Sequence, residues 1–329
     1  MTSLKVLFIG GTGIISSACG ARAVEAGIDL TILNRGTTSI RPIPEGAEVL
    51  QGDIREPGSA RAALGDRDFD VVVDFVAFTP DQVQADIDLF AGRTGQYVFI
   101  SSASAYQTPP ARLPIVESSP LRNPRWEYSR NKIACEDLLT KAYRDSGFPA
   151  TIVRPSHTYD RTAIPTTGHW TDLDRMRRGQ EVVVHGDGTS IWALTHHVDF
   201  AKAFVGLLGL PAAVGDSFHI TSDESLTWNQ IYGALATALG VEAKLVHVAS
   251  ETIVAAEPKL EGALLGDKAH SVIFDNTKVK TLVPDYVATI PFSDGAREIV
   301  EWYDAHPERQ KVDDGLNALF DKLIAAAKA

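Results

Sequence analysis

Tyr128 and Lys132 stand four residues apart in Tyr128-Ser129-Arg130-Asn131-Lys132. On a helix that spacing puts both side chains on one face. A free phenol titrates near ~10, too high for a base at neutral pH. A neighbouring ammonium would stabilise the phenolate and lower that value, so the pair could exchange a proton with a substrate. Upstream, Ser101-Ser102-Ala103-Ser104-Ala105-Tyr106 offers hydroxyls that could hold a carbonyl or hydroxyl against the phenol; the same serines could also simply cap the next turn. The third group is Ile9-Gly10-Gly11-Thr12-Gly13-Ile14-Ile15-Ser16. Its glycines allow a tight turn and close approach to a pyrophosphate, while the helix that follows supplies free N–H groups and partial positive charge. Ser16 replaces the third glycine of the usual spacing and is small enough for close helix–sheet packing. Position and flanking pattern make this stretch a dinucleotide cradle rather than a bare strand–helix turn. An oxidised nicotinamide carried there would lower the Tyr128 pKa further.

The elements that must position these groups alternate. Val6–Ile9, Leu30–Leu33, Val49–Leu50, Val71–Val76 and Tyr97–Ile100 are predicted buried strands; Ile14–Ala26, Ser59–Leu64 and Asp81–Phe90 are predicted helices between them. Val- and Ile-rich strands without polar alternation suit a parallel sheet covered on both faces, with right-handed crossover helices. The fold class is therefore α/β, a doubly wound parallel sheet of the Rossmann type, with a smaller C-terminal substrate lobe. A helix from Tyr128 to about Ser146, a strand at Phe218–Thr221 and a helix at Thr227–Leu239 capped by Thr227 continue the pattern. The dinucleotide domain is expected at 1–165, rejoined by 192–221, and a discontinuous substrate lobe at 166–329. Thr227-Trp228, Leu264–Asp267 and a last helix near Leu316–Ala327 should shape the pocket and the lobe.

The second strand ends in Asn34-Arg35, where an acidic residue would hold the ribose 2′-hydroxyl of NAD. A neutral side chain followed by a guanidinium suits a 2′-phosphate, so the cofactor is NAD(P) with NADP favoured; a solvated loop arginine is the alternative. The 329 residues carry a formal charge of −11, which disfavours nucleic acid as the main partner. Two cysteines in no CxxC spacing suit a reducing, cytoplasmic location. No apolar run approaches the roughly 20 residues of a membrane span. His196 and His197, adjacent on an expected strand, should face opposite ways and bind no metal together. Arg175-Met176-Arg177-Arg178 reads as a solvated helix face or an anion contact at the pocket rim.

With these residues in place, the chain resembles the extended short-chain dehydrogenase/reductase family, in its NAD(P)-dependent epimerase/dehydratase branch. The resemblance spans about the first 240 residues. It rests on the Gly10–Gly13 cradle, Gly52-Asp53-Ile54, Ser101-Ser102 before Tyr106, the Tyr128/Lys132 pair and Arg154-Pro155, in that order. It implies Ser102 as the catalytic hydroxyl with Ser104 as the fallback, Tyr128 as acid/base, and Lys132 as its electrostatic partner and a ribose ligand. It also implies that Asp53 meets the adenine edge and that Phe75, Val76 and Ala77 line the dinucleotide. Ile14, Ile15, Ile54, Ser101, Pro155 and His157 complete the expected cofactor contacts. A homodimer is common in similar proteins.

Three departures matter. Trp192 stands where sugar-nucleotide members carry an arginine for the diphosphate, His157 where asparagine is common, and Asp74 where many relatives have histidine. Losing the arginine removes a contact worth roughly 1.5–3 kcal/mol, and an indole could stack on a sugar or aromatic ring instead. His157 could donate a hydrogen bond, shuttle a proton, or serve structurally. Ser104, His157 and Trp192 are the candidate substrate contacts. The reading is hydride transfer at a carbinol or carbonyl of a small sugar-like substrate, with Tyr128 as acid/base. The alternatives are an NADPH-dependent carbonyl reductase of a non-sugar substrate, or a non-catalytic dinucleotide- or RNA-binding relative. Ser102-Ala103-Ser104 offers no carboxylate of the kind a dehydratase needs.

Overall fold

The computed structural model describes residues 3–37 and 40–328. Six strands follow one another through the first half: β1 (Lys5–Ile9), β2 (Asp29–Asn34), β3 (Glu48–Gln51), β4 (Phe69–Asp74), β5 (Thr94–Ile100) and β6 (Ala150–Pro155). With Ser217–Ile220 they form one parallel sheet, ordered β3-β2-β1-β4-β5-β6 and then Ser217–Ile220. Strand order reverses between β1 and β4, where Ile9 pairs with Asp74, and a crevice opens beyond their carboxyl ends.

Each central strand sends alternate residues to opposite faces, and both faces are apolar. Val6, Phe8, Ile32, Val71 and Val73 pack on one side with Ala18, Cys19, Phe200 and Phe204, from helix α1 (Ile14–Glu25) and helix His197–Leu207. Leu7, Ile9, Val72, Tyr97 and Phe99 pack on the other with Leu64, Val83, Phe90, Cys135 and Leu139. These last come from α2 (Pro57–Leu64), α3 (Pro80–Phe90) and α4 (Glu127–Ser146). Such double coverage is what the unbroken apolar strands require.

Two further apolar clusters build the lobe. One gathers Trp170, Leu173, Trp192, Trp228, Ile231, Tyr232, Phe292 and Ile299; the other gathers Val183, Val248, Ile253, Leu264, Phe320 and Leu323. Thr227 caps helix Trp228–Leu239 by accepting from Gln230 N–H, with Gln230 returning the contact. The chain crosses back once more than the pattern suggests: Val279 and Tyr286 pack under the main sheet, and Tyr286 O–H donates to Thr221 O.

Three local expectations are corrected. Strand β4 ends at Asp74 rather than Val76, because the Asp74 carboxylate accepts from Val76 N–H and Ala77 N–H and turns the chain. His196 and His197 do not share a strand. His196 ends a strand and caps the helix that His197 begins, its Nδ1 accepting from Val198 N–H. The Arg175–Arg178 run is neither a uniformly solvated face nor an anion contact. Arg175 is buried and binds Asn317, Asp321 and Glu181 O, while Arg177 pairs with Asp304 and Arg178 with Asp174. Among the described residues no helix is long and apolar enough to cross a membrane.

Candidate active site

The turn after β1 follows directly from its glycines. Gly10 adopts a φ of 78°, and a Cβ there would lie 2.7 Å from Val76 Cγ1; a Cβ at Gly11 would lie 2.6 Å from Ile32 Cγ2. Gly13 caps α1, and its N–H donates to the buried Ser16 hydroxyl at 2.8 Å. Ser16 thus fills the third-glycine position without holding the helix off the sheet. A groove of about 490 Å³ runs along this turn, lined among others by Thr12, Asn34, Arg35, Asp53, Ile54, Phe75 and Val76. A backbone that only glycine permits, at a helix N-terminus beside an open groove, fits a dinucleotide diphosphate.

The charged groups beneath the groove form one network, in which Arg55 Nε and Asp86 Oδ1 are buried without a hydrogen-bond partner among the described residues. Asp74 is buried; besides the two N–H groups of the turn it accepts from Arg55 at 2.7 Å. Arg55 also reaches Asp86 at 3.6 Å, and Asp86 accepts from Tyr97 O–H at 2.8 Å. Burial, then the neighbouring Asp74, raise the Asp86 pKa well above the usual carboxylate range. Arg35 is exposed at the groove and has no hydrogen-bond or ion-pair partner among the described residues. Asn34 Oδ1 accepts from Gly36 N–H, and Asp53 Oδ1 from Arg55 N–H. Across the cradle, Arg41 donates to Asp160 and Thr162 and reaches Thr12 O at 3.5 Å.

Tyr128 and Lys132 lie one turn apart on α4, whose register also buries Ser129, Cys135, Glu136 and Leu139. Lys132 Nζ donates to Ala77 O and Ile100 O, both at 2.7 Å, which commits two of its three ammonium protons. Burial pulls its pKa down to about 8, with Asp74 opposing. The ammonium stands 5.8 Å from the Tyr128 ring centre. Tyr128 O–H shares a hydrogen bond with Ser102, yet its pKa moves up rather than down. Burial is the first cause, the Asp267 charge adds to it, and the Ser102 bond only partly offsets them. Lowering the phenol therefore requires positive charge beyond what this chain places there.

The serines divide their work. Ser102 begins a short 3₁₀ turn, Ala103–Ala105, and its hydroxyl lies 2.9 Å from that of Ser104, to which Ser129 donates at 2.7 Å. Ser101 does not offer its hydroxyl to a cofactor: it donates to Glu136, which is itself locked to Arg154 at 2.6 Å. With Ser101 N–H donating to Val153 O, only its carbonyl is left for a ligand.

A pocket of about 280 Å³ adjoins this turn, lined by Ser102, Ser104, Trp126, Tyr128, Pro155, His157, Trp192, Asp267 and Lys268 among others. Burial, aided by Lys268 and His169, lowers His157 to about 3, so it is neutral across the physiological range. Trp192 is 4% exposed, and its Nε1–H has no partner among the described residues. Ile14 and Ile15, expected beside the cofactor, open α1 and are absent from the groove lining.

Lys268 was missed by sequence reasoning, and Asp267 was expected only to shape the pocket. Both come from a π-helical turn, Leu264–Lys268, some 135 residues after α4 begins; such turns gather at functional sites. Gly262 and Gly266 let this turn press on Trp126, since a Cβ at Gly262 would lie 2.3 Å from its ring. The small-xxx-small spacing of Gly262 and Gly266 was the available signal. Asn123 binds Ser104 O at 3.1 Å and Gly266 O at 2.7 Å with one amide, clipping the serine turn to the lobe turn.

At 26% identity over 290 residues, the chain is similar to a 2′-dehydrokanamycin reductase from Streptomyces kanamyceticus, covering 86% of this chain and 80% of that protein. At 26% over 256 residues it is similar to the chloroplast stem-loop binding protein of 41 kDa b from Arabidopsis thaliana, covering 74% of this chain and 65% of that one. In fold it is similar to the epimerase Mth375 from Methanothermobacter thermautotrophicus, with a TM-score of 0.75 at 17% identity and 94% coverage of each chain. Residues 6–220 match the NAD dependent epimerase/dehydratase family, and the chain belongs to that enzyme family.

Proposed function

We propose that the protein transfers hydride at a carbinol or carbonyl carbon of a small, sugar-like substrate, with Tyr128 handling the hydroxyl proton. The observation that carries this reading is the meeting of Tyr128, Ser102 and Lys132 where the glycine groove adjoins the pocket. When bound, the nicotinamide supplies the acceptor or donor of the hydride and its two electrons. In the oxidative direction Tyr128, as phenolate, takes the proton of the substrate hydroxyl while Ser102 holds the same oxygen; the carbinol becomes a ketone. In the reductive direction Tyr128 O–H gives its proton to the carbonyl oxygen as hydride reaches carbon. Lys132 would add positive charge beside the phenolate, and its third ammonium proton would be available to the ribose of a bound dinucleotide.

Gly10, Gly11, Thr12, Gly13, Ile54, Phe75, Val76 and Ala77 would hold the dinucleotide, with residues 1–165 and the returning helix and strand as its domain. Arg35, unpaired at the groove and following a neutral Asn34, supports NADP over NAD. Trp192 in place of an arginine leaves Lys268 as the lining cation of the pocket, which supports release of a reduced or oxidised product from a compact ring over chemistry on a diphosphate ester. The name of the Streptomyces kanamyceticus relative favours the reductive direction. Buried, unpaired Cys19 and Cys135 support a cytoplasmic setting; a homodimer remains the expectation of the resemblance.

The test is turnover of a panel of ring ketones and alcohols, followed by nicotinamide absorbance. Tyr128→Phe should lower kcat by roughly 10²–10⁴ while nucleotide binding persists. Unchanged turnover in that variant would refute the reading, and a protein that binds no nicotinamide nucleotide would return the case to a non-catalytic relative.

A further inference from the structure

The pocket wall opposite Tyr128 contains groups the proton transfer does not use. Asp267 and Lys268 both line it; each feels the other's charge, and neither side chain has a hydrogen-bond partner among the described residues. Trp192 Nε1–H is likewise unpaired beside them. Buried polar groups left unpaired cost free energy, about 1–3 kcal/mol each for neutral ones. Trp192 Nε1 carries that cost, while the half-buried ends of Asp267 and Lys268 stay open to a ligand.

The backbone that presents them is not loose. Lys268 O accepts from His185 Nε2, Ser190 Oγ and Trp228 Nε1, and Gly266 O accepts from Asn123. Asp267 is therefore held in place with its carboxyl group free. Desolvation in this wall raises it to about 7, a state that a hydrogen-bond donor from a ligand would relieve.

Resting on the hydride-transfer reading above, we propose that Asp267 is the specificity-determining residue of the pocket: its carboxylate takes a hydroxyl or ammonium donor on the substrate ring, so that the ring, not a phosphate, is what the site anchors. The charge balance of the wall supports this. One carboxylate and one ammonium are matched to a polyhydroxylated or aminated ring, whereas a diphosphate needs a surplus of cations. Trp126 and Trp192 provide apolar faces for such a ring, and Trp192 Nε1–H gives it one more donor.

The experiment reads binding, not turnover, so its failure is separable from failure of the Tyr128 assignment. The full chain, loaded with oxidised NADP, is titrated with D-glucosamine, D-glucose and uridine diphosphate while tryptophan emission is recorded. Both sugars should give saturable changes, and Asp267→Ala should weaken them by about tenfold or more. Asp267→Asn keeps the shape and guards against a folding defect. A larger loss for glucosamine than for glucose assigns the donor as ammonium, equal losses assign a hydroxyl, and either bears the proposal out. Sugar affinities within about twofold of the parent in both variants, tighter binding of uridine diphosphate than of either sugar, or no saturable sugar response in the parent protein would overturn it.

Discussion

The groove and the pocket differ in how they hold their charged side chains. Under the groove, Asp74 is fully engaged by Arg55 and two backbone N–H groups, and Lys132 by two carbonyls. In the pocket, the half-buried Asp267 and Lys268 side chains feel each other's charge but have no hydrogen-bond partner among the described residues, and Trp192 Nε1 is buried without one. The first region is organised before any ligand arrives, and its polar groups contribute to the fold. The second leaves its charged ends uncommitted, which under the proposal above keeps them for recognition, as expected where stability and activity compete.

Removing a carboxylate should then have opposite signs in the two places. Asp74→Ala would leave Arg55 half-paired and free the turn that carries Ala77, costing about 3–5 kcal/mol in chemical denaturation; a loss below about 1 kcal/mol would break the contrast. Gly10→Ala forces a Cβ toward Val76 at a positive φ and should cost about 1–3 kcal/mol, with weakened nucleotide binding in the same titration. Asp267→Asn should stabilise. The folded-state pKa of about 7 lies above the ordinary value of ~3.9, so the folded protein holds the extra proton between them. Stability contributed by this site therefore falls as pH rises from about 4 to about 7, and the penalty is complete above that. Thermal melts should show the variant several degrees above the parent at alkaline pH and level with it near the acid end. An unchanged profile would remove Asp267 from the unpaired set. The smallest effect belongs to the exposed Arg35: Arg35→Ala should raise the KM for NADPH a few-fold and leave that for NADH unaltered, because solvent screens the contact.

What the sequence made legible follows the same division. The cradle, the β1–β5 strands and the Tyr128/Lys132 pair are local patterns, in which a few adjacent residues fix both backbone and chemistry. Asp74 was visible only as an unusual residue, since its work of holding Val76, Ala77 and through them Lys132 is a matter of tertiary contact. Ser101 and Ser102 are neighbours of one type, and only the alternation of the strand end sends one to Glu136 and the other to Tyr128. Asp267 and Lys268 reach the site from a distant turn whose π geometry no periodicity announces. The upward shift of Tyr128 in the chain by itself was equally hidden, since the Asp267 charge that adds to burial comes from that same distant segment.

Asn123 turns this history into an engineering property. Because its single planar amide grips Ser104 O and Gly266 O together, the stretch from 261 to 268 behaves as a cassette plugged into a rigid socket. Residues on its pocket side can be exchanged to greet a different guest, while the socket keeps the hydroxyl turn where it stands. New selectivity can thus be grafted onto this scaffold without retuning its proton chemistry.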